Sequence, residues 1–307
     1  MSESESPIRP KILVGIVTIN RMDGLIRTLE ECRRLGFDDL VVLDNGSVDG
    51  TRQYLAARDD IAKIFTDENG GSSGGFNRIM RFFVEQSNCQ WLLTFDDDAF
   101  PTFTCKSLSG YLAGLSGSQC PAYAFKVIAP DGIMCDMNRP GVNVLLKRPL
   151  PSFRNFHVDG STGACAVDFA SFTGLLLKKE TVRAIGLVSK EFFIYGDDTY
   201  YTLSISSRIG RLFYCPDFVL VHDCKRSSKR FLNHDPIRLE RDVINKIVLI
   251  REYSRFKMTY ICLYVARSIF FNPALCPQIL SASMKGLRAN LALYKNEPVC
   301  SAASGSR

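Results

Sequence analysis

Three consecutive carboxylates, Asp96, Asp97 and Asp98, stand directly after five uncharged residues, 91–95. Along an extended backbone alternate side chains share a face, so Asp96 and Asp98 point together while Asp97 points away. Two converging carboxylates raise each other's pKa, and a divalent cation removes that repulsion while taking hard oxygen ligands. Mg2+ or Mn2+ is the ion expected there. A second acid pair, Asp197 and Asp198, follows the aromatic run 192–195, which is expected to be a strand ending in Gly196, and opens a helix expected over 199–209. Acids at a helix N-terminus can act as dipole partners and caps. A carboxylate in that place can equally take a proton from a substrate. His222, one of three histidines, closes an apolar run beside Asp223 and is a candidate third metal ligand, although a lone histidine is more often structural.

These residues need a scaffold that brings them to one place. Residues 12–19 form a continuous apolar, β-branched run, as a strand buried on both faces requires. Leu25, Ile26, Leu29, Cys32 and Leu35 then recur at helical spacing, closed by Gly36. Strands are expected next at 40–43, 61–65 and 91–95, with helices at 51–57 and 76–84 between them. Strands alternating with helices predict a mainly parallel sheet with right-handed crossovers, and ligands of such sheets bind at the carboxyl ends of the strands. Four segments share that rim: 20–23, 44–51, 68–75 and 96–100. The Asx-rich run 44–51 is either a turn that caps the next helix or part of a ligand site. The glycine-serine run in 68–75 fits neither a dinucleotide fingerprint nor a P-loop. It is expected to be a flexible loop before a helix N-terminus, serving either as a hinge or as a cradle for an anion. Further strands are expected at 122–128, 164–170 and 174–179, with a helix over 180–185.

Composition bounds the rest. The 307 residues are 46% hydrophobic and 23% charged, enough for one large domain with an appendage. Eleven cysteines with no C-x-x-C pair argue against a disulfide framework and a zinc ribbon and for a reducing, cytoplasmic setting. Residues 1–10 lack a basic start and an apolar core, so they are expected to be a disordered lead. The apolar stretch 258–276 is interrupted by Arg267 and Pro273, so it is expected to be a buried or surface-lying helix and not a membrane span. The net charge of +6 is concentrated between Lys225 and Lys257, where ten cations face four acids. That surface is either a solvated helix face or a contact for an anionic membrane.

The chain resembles the inverting nucleotide-sugar glycosyltransferases of glycosyltransferase family 2, and within them the rhamnosyl- and galactofuranosyltransferase branch. The resemblance rests on segments 17–21, 44–51, 69–80, 95–101, 172–186, 192–210 and 221–223. It implies an α/β GT-A fold: a disordered lead (1–10), a catalytic domain (11–225) with a nucleotide-sugar half (11–100) and an acceptor half (101–225), a basic helical region (226–296) and a disordered tail (297–307). It implies Thr18, Asn20, Arg21 and Asp44 at the nucleotide, and Gly71, Ser72, Ser73, Gly74, Gly75, Phe76 and Arg78 along the donor pyrophosphate and sugar. It further implies Asp97 at the sugar or ribose, Asp96, Asp98 and His222 on Mn2+ or Mg2+, and Asp198 as the base supported by Asp197. The motif here reads Gly-Asp-Asp where the family often has Trp followed by Glu-Asp. The implied reaction moves galactofuranose or rhamnose from a UDP- or dTDP-sugar to a lipid-linked glycan, on the cytoplasmic face of the inner membrane, with no nucleic acid partner. Three other readings compete, one of them a phosphatase built on D-x-D, which would need a Thr or Val shortly after the second Asp and a supporting Lys where this chain has Ala99 and Phe100. A nucleotidyltransferase should carry a Gly-x-Arg start near the first strand, and a sugar-nucleotide-binding scaffold would have no need of both metal acids and base.

Overall fold

The computed structural model describes residues 9–115, 119–142, 156–223 and 235–299. Most of the predicted lead, the end of the predicted tail (300–307) and the basic run at Lys225, Arg226, Lys229 and Arg230 lie outside the described residues. The alternation read from the sequence builds the first half: β1 (Ile12–Thr18), α1 (Met22–Arg34), β2 (Leu40–Asp44), α2 (Thr51–Ala56), β3 (Ala62–Phe65), α3 (Gly71–Glu85) and β4 (Trp91–Asp96). Then follow β5 (Ala99–Pro101), α4 (Cys105–Gly114), β6 (Ala122–Ile128), β7 (Gly141–Val142), β8 (Phe156–His157), β9 (Cys165–Val167), β10 (Leu175–Lys178) and α5 (Lys179–Ile185). The chain continues with α6 (Asp197–Arg208), β11 (Leu212–His222) and three C-terminal helices, α7 (Pro236–Tyr253), α8 (Lys257–Phe271) and α9 (Cys276–Arg288).

The central sheet runs β3-β2-β1-β4-β10-β6-β11-β5, with β9 also on β11. β3, β2, β1 and β4 are mutually parallel, β10 is antiparallel to both its neighbours, and β6 and β11 are again parallel. The sheet is therefore mainly parallel but not wholly so. Strand alternation feeds two cores: Val14, Ile16, Leu93 and Phe95 pack on one face with Leu25 and Leu29 of α1 and Leu108 of α4. Leu13, Val41, Leu43 and Leu92 pack on the other with Ile79 and Phe83 of α3 and Tyr201 of α6. A third core joins Val243, Ile247 and Ile279 of the C-terminal helices to Phe169, Phe192, Tyr200 and Leu203. The basic helical region thus packs directly on the element that carries Asp197 and Asp198.

Several expectations change. The run 71–75, read as a flexible loop, is the first turn of α3. Tertiary contacts override its low helix propensity: Ser73 Oγ donates to the Lys190 carbonyl (3.1 Å), and Asn77 Nδ2 donates to that of Val188 (2.6 Å). The aromatic run 192–195 is not a strand. Phe193, Tyr195 and Gly196 have φ of 59°, 67° and 79°, left-handed values that no ladder accommodates. The strand expected at 164–170 is only β9, and the apolar stretch 258–276 breaks at a 3-10 turn, Pro273–Leu275, between α8 and α9. The tail expected from 297 starts in an ordered pairing, because Leu187 and Glu297 exchange backbone hydrogen bonds (2.7 and 2.8 Å).

Candidate active site

β4 ends at Asp96, and Asp97 and Asp98 form a turn into β5. The divergence of Asp97 from its neighbours therefore comes from a turn as well as from the pleat. β5 pairs with the end of β11 so that His222 stands opposite Ala99, and the Asp223 N–H donates to the Asp98 carbonyl (2.8 Å). β11 reaches this register through an irregularity between Cys215 and Val219, beside Pro216, which cannot donate to a ladder. The fold thereby brings together two acids and a histidine that are remote in sequence. One ligand atom from each of Asp96, Asp98 and His222 lies within 4.8 Å of the others.

His222 Nε2 is 3.1 Å from Asp98 Oδ1 and 4.0 Å from Asp96 Oδ2. Its Nδ1 lies 2.9 Å from Asn138 Oδ1, and Asn138 Nδ2 donates to Ser171 Oγ (3.0 Å). The Asn138 carbonyl oxygen thus faces the ring, so Nδ1 carries a proton, and Nε2, which faces the acids, is the nitrogen that would give up its proton to bind a metal. Ser171 Oγ donates to the Thr173 carbonyl (3.0 Å), and Thr173 Oγ1 donates to Asp96 Oδ2 (2.7 Å). One chain of neutral side chains thus orients two of the three candidate ligands. Two hard carboxylates and an imidazole form a donor set that fits a divalent ion.

The carboxylates are held differently. Burial pushes Asp97 up to about 7, offset in part by Thr18, whose hydroxyl donates to it (2.7 Å), and by Arg21. Burial alone would raise Asp98 too, but His222 and Arg21 outweigh it and hold the group at about 2. Burial also raises Asp96, against His222 and Thr173. Burial would lower His222, yet its hydrogen bond to Asp98 and the charge of Asp96 raise it. Arg21 bridges Asp97 and Asp98.

These residues floor a cavity of about 650 Å³ at the carboxyl ends of β1 and β4. Thr18, Arg21, Asn45, Asn69, Gly71 and Ser72 line one side, and Met137, Phe193, Ile194, Tyr195, Asp235, Ile237 and Arg238 the other. Of the residues expected at the nucleotide or donor, Thr18, Arg21, Gly71, Ser72 and Asp97 reach this cavity. Asp44 is fully buried beneath it, with Oδ1 accepting from the Ser47 N–H (3.0 Å). Asn20 joins neighbouring rim loops, accepting from the Val48 N–H (2.7 Å). Ser73 faces residues 190–193, Gly75 packs on Val17, Phe76 stacks on Phe172 (4.6 Å between centroids), and Arg78 donates to the carbonyl of Gly74 (3.0 Å). None of these seven residues (Asn20, Asp44, Ser73, Gly74, Gly75, Phe76, Arg78) is part of the cavity wall.

Gly71 has φ +70°, and a Cβ on it would run into the Phe193 carbonyl, which also accepts from the Ser73 N–H (3.3 Å). The start of α3 and the left-handed loop are therefore in direct contact. From the other side Asn245 of α7, buried, donates Nδ2 to the carbonyls of Phe192, Ile194 and Tyr195, each at 2.9 Å. Gly196 then opens α6. Asp197 is buried, and Asp198 accepts from the Thr199 N–H (2.5 Å). Burial raises both pKa values. For Asp197 the charge of Asp198 adds to the rise, and for Asp198 the Thr199 hydrogen bonds and Lys246 offset it in part. Neither acid forms part of the cavity wall, although Asp198 is close enough to Asp96 to feel its charge. Asn138, Ser171, Thr173 and Asn245 were not singled out from the sequence, and neutral polar residues of this kind carry no pattern that would have exposed them.

Residues 13–108 match the model of the family described as Glycosyl transferase family 2. No curated protein matches this chain. Mannosyltransferase PcManGT from Pyrobaculum calidifontis, in complex with GDP-Man and Mn2+, is 19% identical over 94% of this chain and 79% of its own, with a TM-score of 0.54. The fold is GT-A. S. aureus TarS 1-349 in complex with UDP-GlcNAc is 14% identical over 90% of this chain and 81% of its own (TM-score 0.53). GalNAc-T7 with UDP, GalNAc and Mn2+ is 14% identical over 92% of this chain and 57% of its own (TM-score 0.55). The family match, together with a shared fold, supports a glycosyltransferase.

Proposed function

We propose that the protein moves a sugar from a nucleoside diphosphate to a hydroxyl of a growing, lipid-linked glycan in cell-surface polysaccharide synthesis, inverting the anomeric centre. The observation that carries this reading is the convergence of Asp96, Asp98 and His222 on the floor of a cavity that one helix start lines directly and a second, carrying the raised acid pair, closely adjoins. A divalent ion held by Asp96, Asp98 and His222 would stabilise the charge that develops on the leaving diphosphate. The imidazole favours Mn2+ over Mg2+ in such a set.

The chain's own groups supply the rest. Arg21 and the positive end of the α3 dipole, which meets the cavity at Gly71 and Ser72, favour an anionic diphosphate. Asp97, fixed by Thr18, faces the same cavity and is placed for a ribose or sugar hydroxyl. Asp198 takes the acceptor hydroxyl proton as the acceptor oxygen bonds to the anomeric carbon, and the bond to the diphosphate oxygen breaks with its electron pair leaving on the nucleoside diphosphate. A positioned base of this kind contributes about 10²- to 10⁴-fold. A single displacement inverts the centre.

The resemblance to the rhamnosyl- and galactofuranosyltransferase branch makes dTDP-rhamnose and UDP-galactofuranose the first donors to test. Similar structures hold GDP-Man and UDP-GlcNAc, so both belong in the panel. Release of nucleoside diphosphate with Mn2+, abolished by EDTA, is the expected result. Binding of a sugar nucleotide without turnover on any acceptor would leave the scaffold reading in its place.

A further inference from the structure

The C-terminal helices carry a surface that the proposed reaction does not use. Met258, Cys262, Ala266 and Phe270 recur every four residues along α8 and all are exposed, so they form one outward apolar stripe. At its end Phe270 is 78% and Phe271 65% exposed. Its own stretch of chain carries one sign of charge: between Glu252 and Glu297 the sequence has six Lys or Arg residues and no Asp or Glu, and the acid that touches α8, Asp242, comes from α7. Among the described residues no helix is long and apolar enough to cross a membrane. An exposed apolar stripe with cations around it and no carboxylates on its own stretch of chain complements an anionic lipid surface, on which such a helix lies flat.

The placement of the stripe gives it a purpose. The chain reverses after α7, and Tyr264 of α8 donates its hydroxyl to Asp242 of α7 (3.4 Å). The last turn of α8 therefore returns toward the end of α7 that begins at Asp235, Ile237 and Arg238 and forms a wall of the cavity. We propose that α8 docks flat on an anionic bilayer through this stripe, with the Phe270–Phe271 end bringing the cavity mouth to the lipid. The use of the docking rests on a lipid-linked acceptor, whereas the docking itself does not.

Flotation of the full chain with vesicles of phosphatidylglycerol and phosphatidylcholine, against phosphatidylcholine alone, tests this. Wild type should float with the anionic vesicles only, and less so as salt rises. Lys257→Ala should weaken binding about fivefold. Phe270→Ser with Phe271→Ser should weaken it roughly ten- to a hundredfold. Both variants should release nucleoside diphosphate from a soluble donor at the wild-type rate, which separates lost docking from lost folding. Equal binding to neutral and anionic vesicles, or an unweakened double variant, would overturn the proposal. So would a dimer that the double variant dissolves in a chain that binds no vesicle, because a second copy would then cover the stripe. Vesicle binding without turnover of any donor would sink the proposed reaction and leave the docking standing.

Discussion

Asn138 shows how much a neutral side chain can decide. It holds a proton on His222 Nδ1 and is itself fixed by Ser171, which leads on to Thr173 and Asp96. Asn138→Leu should leave the fold intact and weaken Mn2+ binding about 10- to 100-fold, the cost typical of removing a partner behind a metal ligand. Titration of Mn2+ by calorimetry measures it, and unchanged affinity would remove Asn138 from the site. Asp198→Asn should abolish turnover while the donor still binds, the pattern of a group needed in the transition state, and Asp197→Asn should cost less. The opposite order would make Asp197 the base. Because burial raises Asp198, the acid limb of the kcat profile should lie above the ordinary carboxylate pKa of about 3.9. Asp197 adds a sign that can be checked. Its folded pKa is raised, so the native chain binds the extra proton, and stability should fall as pH rises from about 4 toward the raised value, by up to about 1.4 kcal/mol per unit. Urea midpoints across that range should fall less steeply in Asp197→Asn. Charged and imidazole groups were legible in the sequence because their types imply chemistry. Asn138, Ser171 and Thr173 were not, because their role is created only when the sheet brings them to the histidine and the acids.

The loop at 193–196 sits between two helix starts and holds three left-handed residues out of four. Asn245 holds two carbonyls within it, those of Ile194 and Tyr195, and that of Phe192 just before it, so Asn245→Ala should strand these acceptors at about 1–3 kcal/mol each and loosen the entry to α6. The expected readout is a large loss in kcat with a smaller change in KM, alongside a lower unfolding midpoint. An unchanged kcat would show that the loop's shape does not depend on α7. Gly71→Ala meets the same loop from α3, where a Cβ has no room and φ is +70°. Overpacking of this kind costs about 1–3 kcal/mol. The regular elements of the first half were readable from periodicity, because β1, β2 and β4 are buried on both faces and their runs are continuous. The loop was misread because aromatic residues favour strands on average. Here they sit in a left-handed path fixed by contacts from α3 and α7, which no local pattern reports.

Across the whole molecule, the candidate ligands join β4 to the end of β11, and so the first half of the chain to the last strand in chain order. Mn2+ should therefore stabilise the fold as a unit, by about 2.7 kcal/mol at a hundred times its Kd. Thermal unfolding with Mn2+ against EDTA measures this, and His222→Ala should remove the gain. An identical midpoint with and without metal would rule the cluster out as a cation site. The architecture was legible from the order of strands and helices. The reversal of β10 and the sharing of the third core by α6 and the C-terminal helices were not, because both depend on pairings remote in sequence. The Phe193 carbonyl meets Gly71 from one direction, while Asn245 holds the residues on either side of it from another. Recombination between relatives therefore has few safe crossover points. A chimera that imports residues 101–225 without the matching first turn of α3 and the matching face of α7 would carry a loop shaped for neighbours it no longer has, so under the proposed reaction donor preference and acceptor preference should be exchanged together and not one at a time.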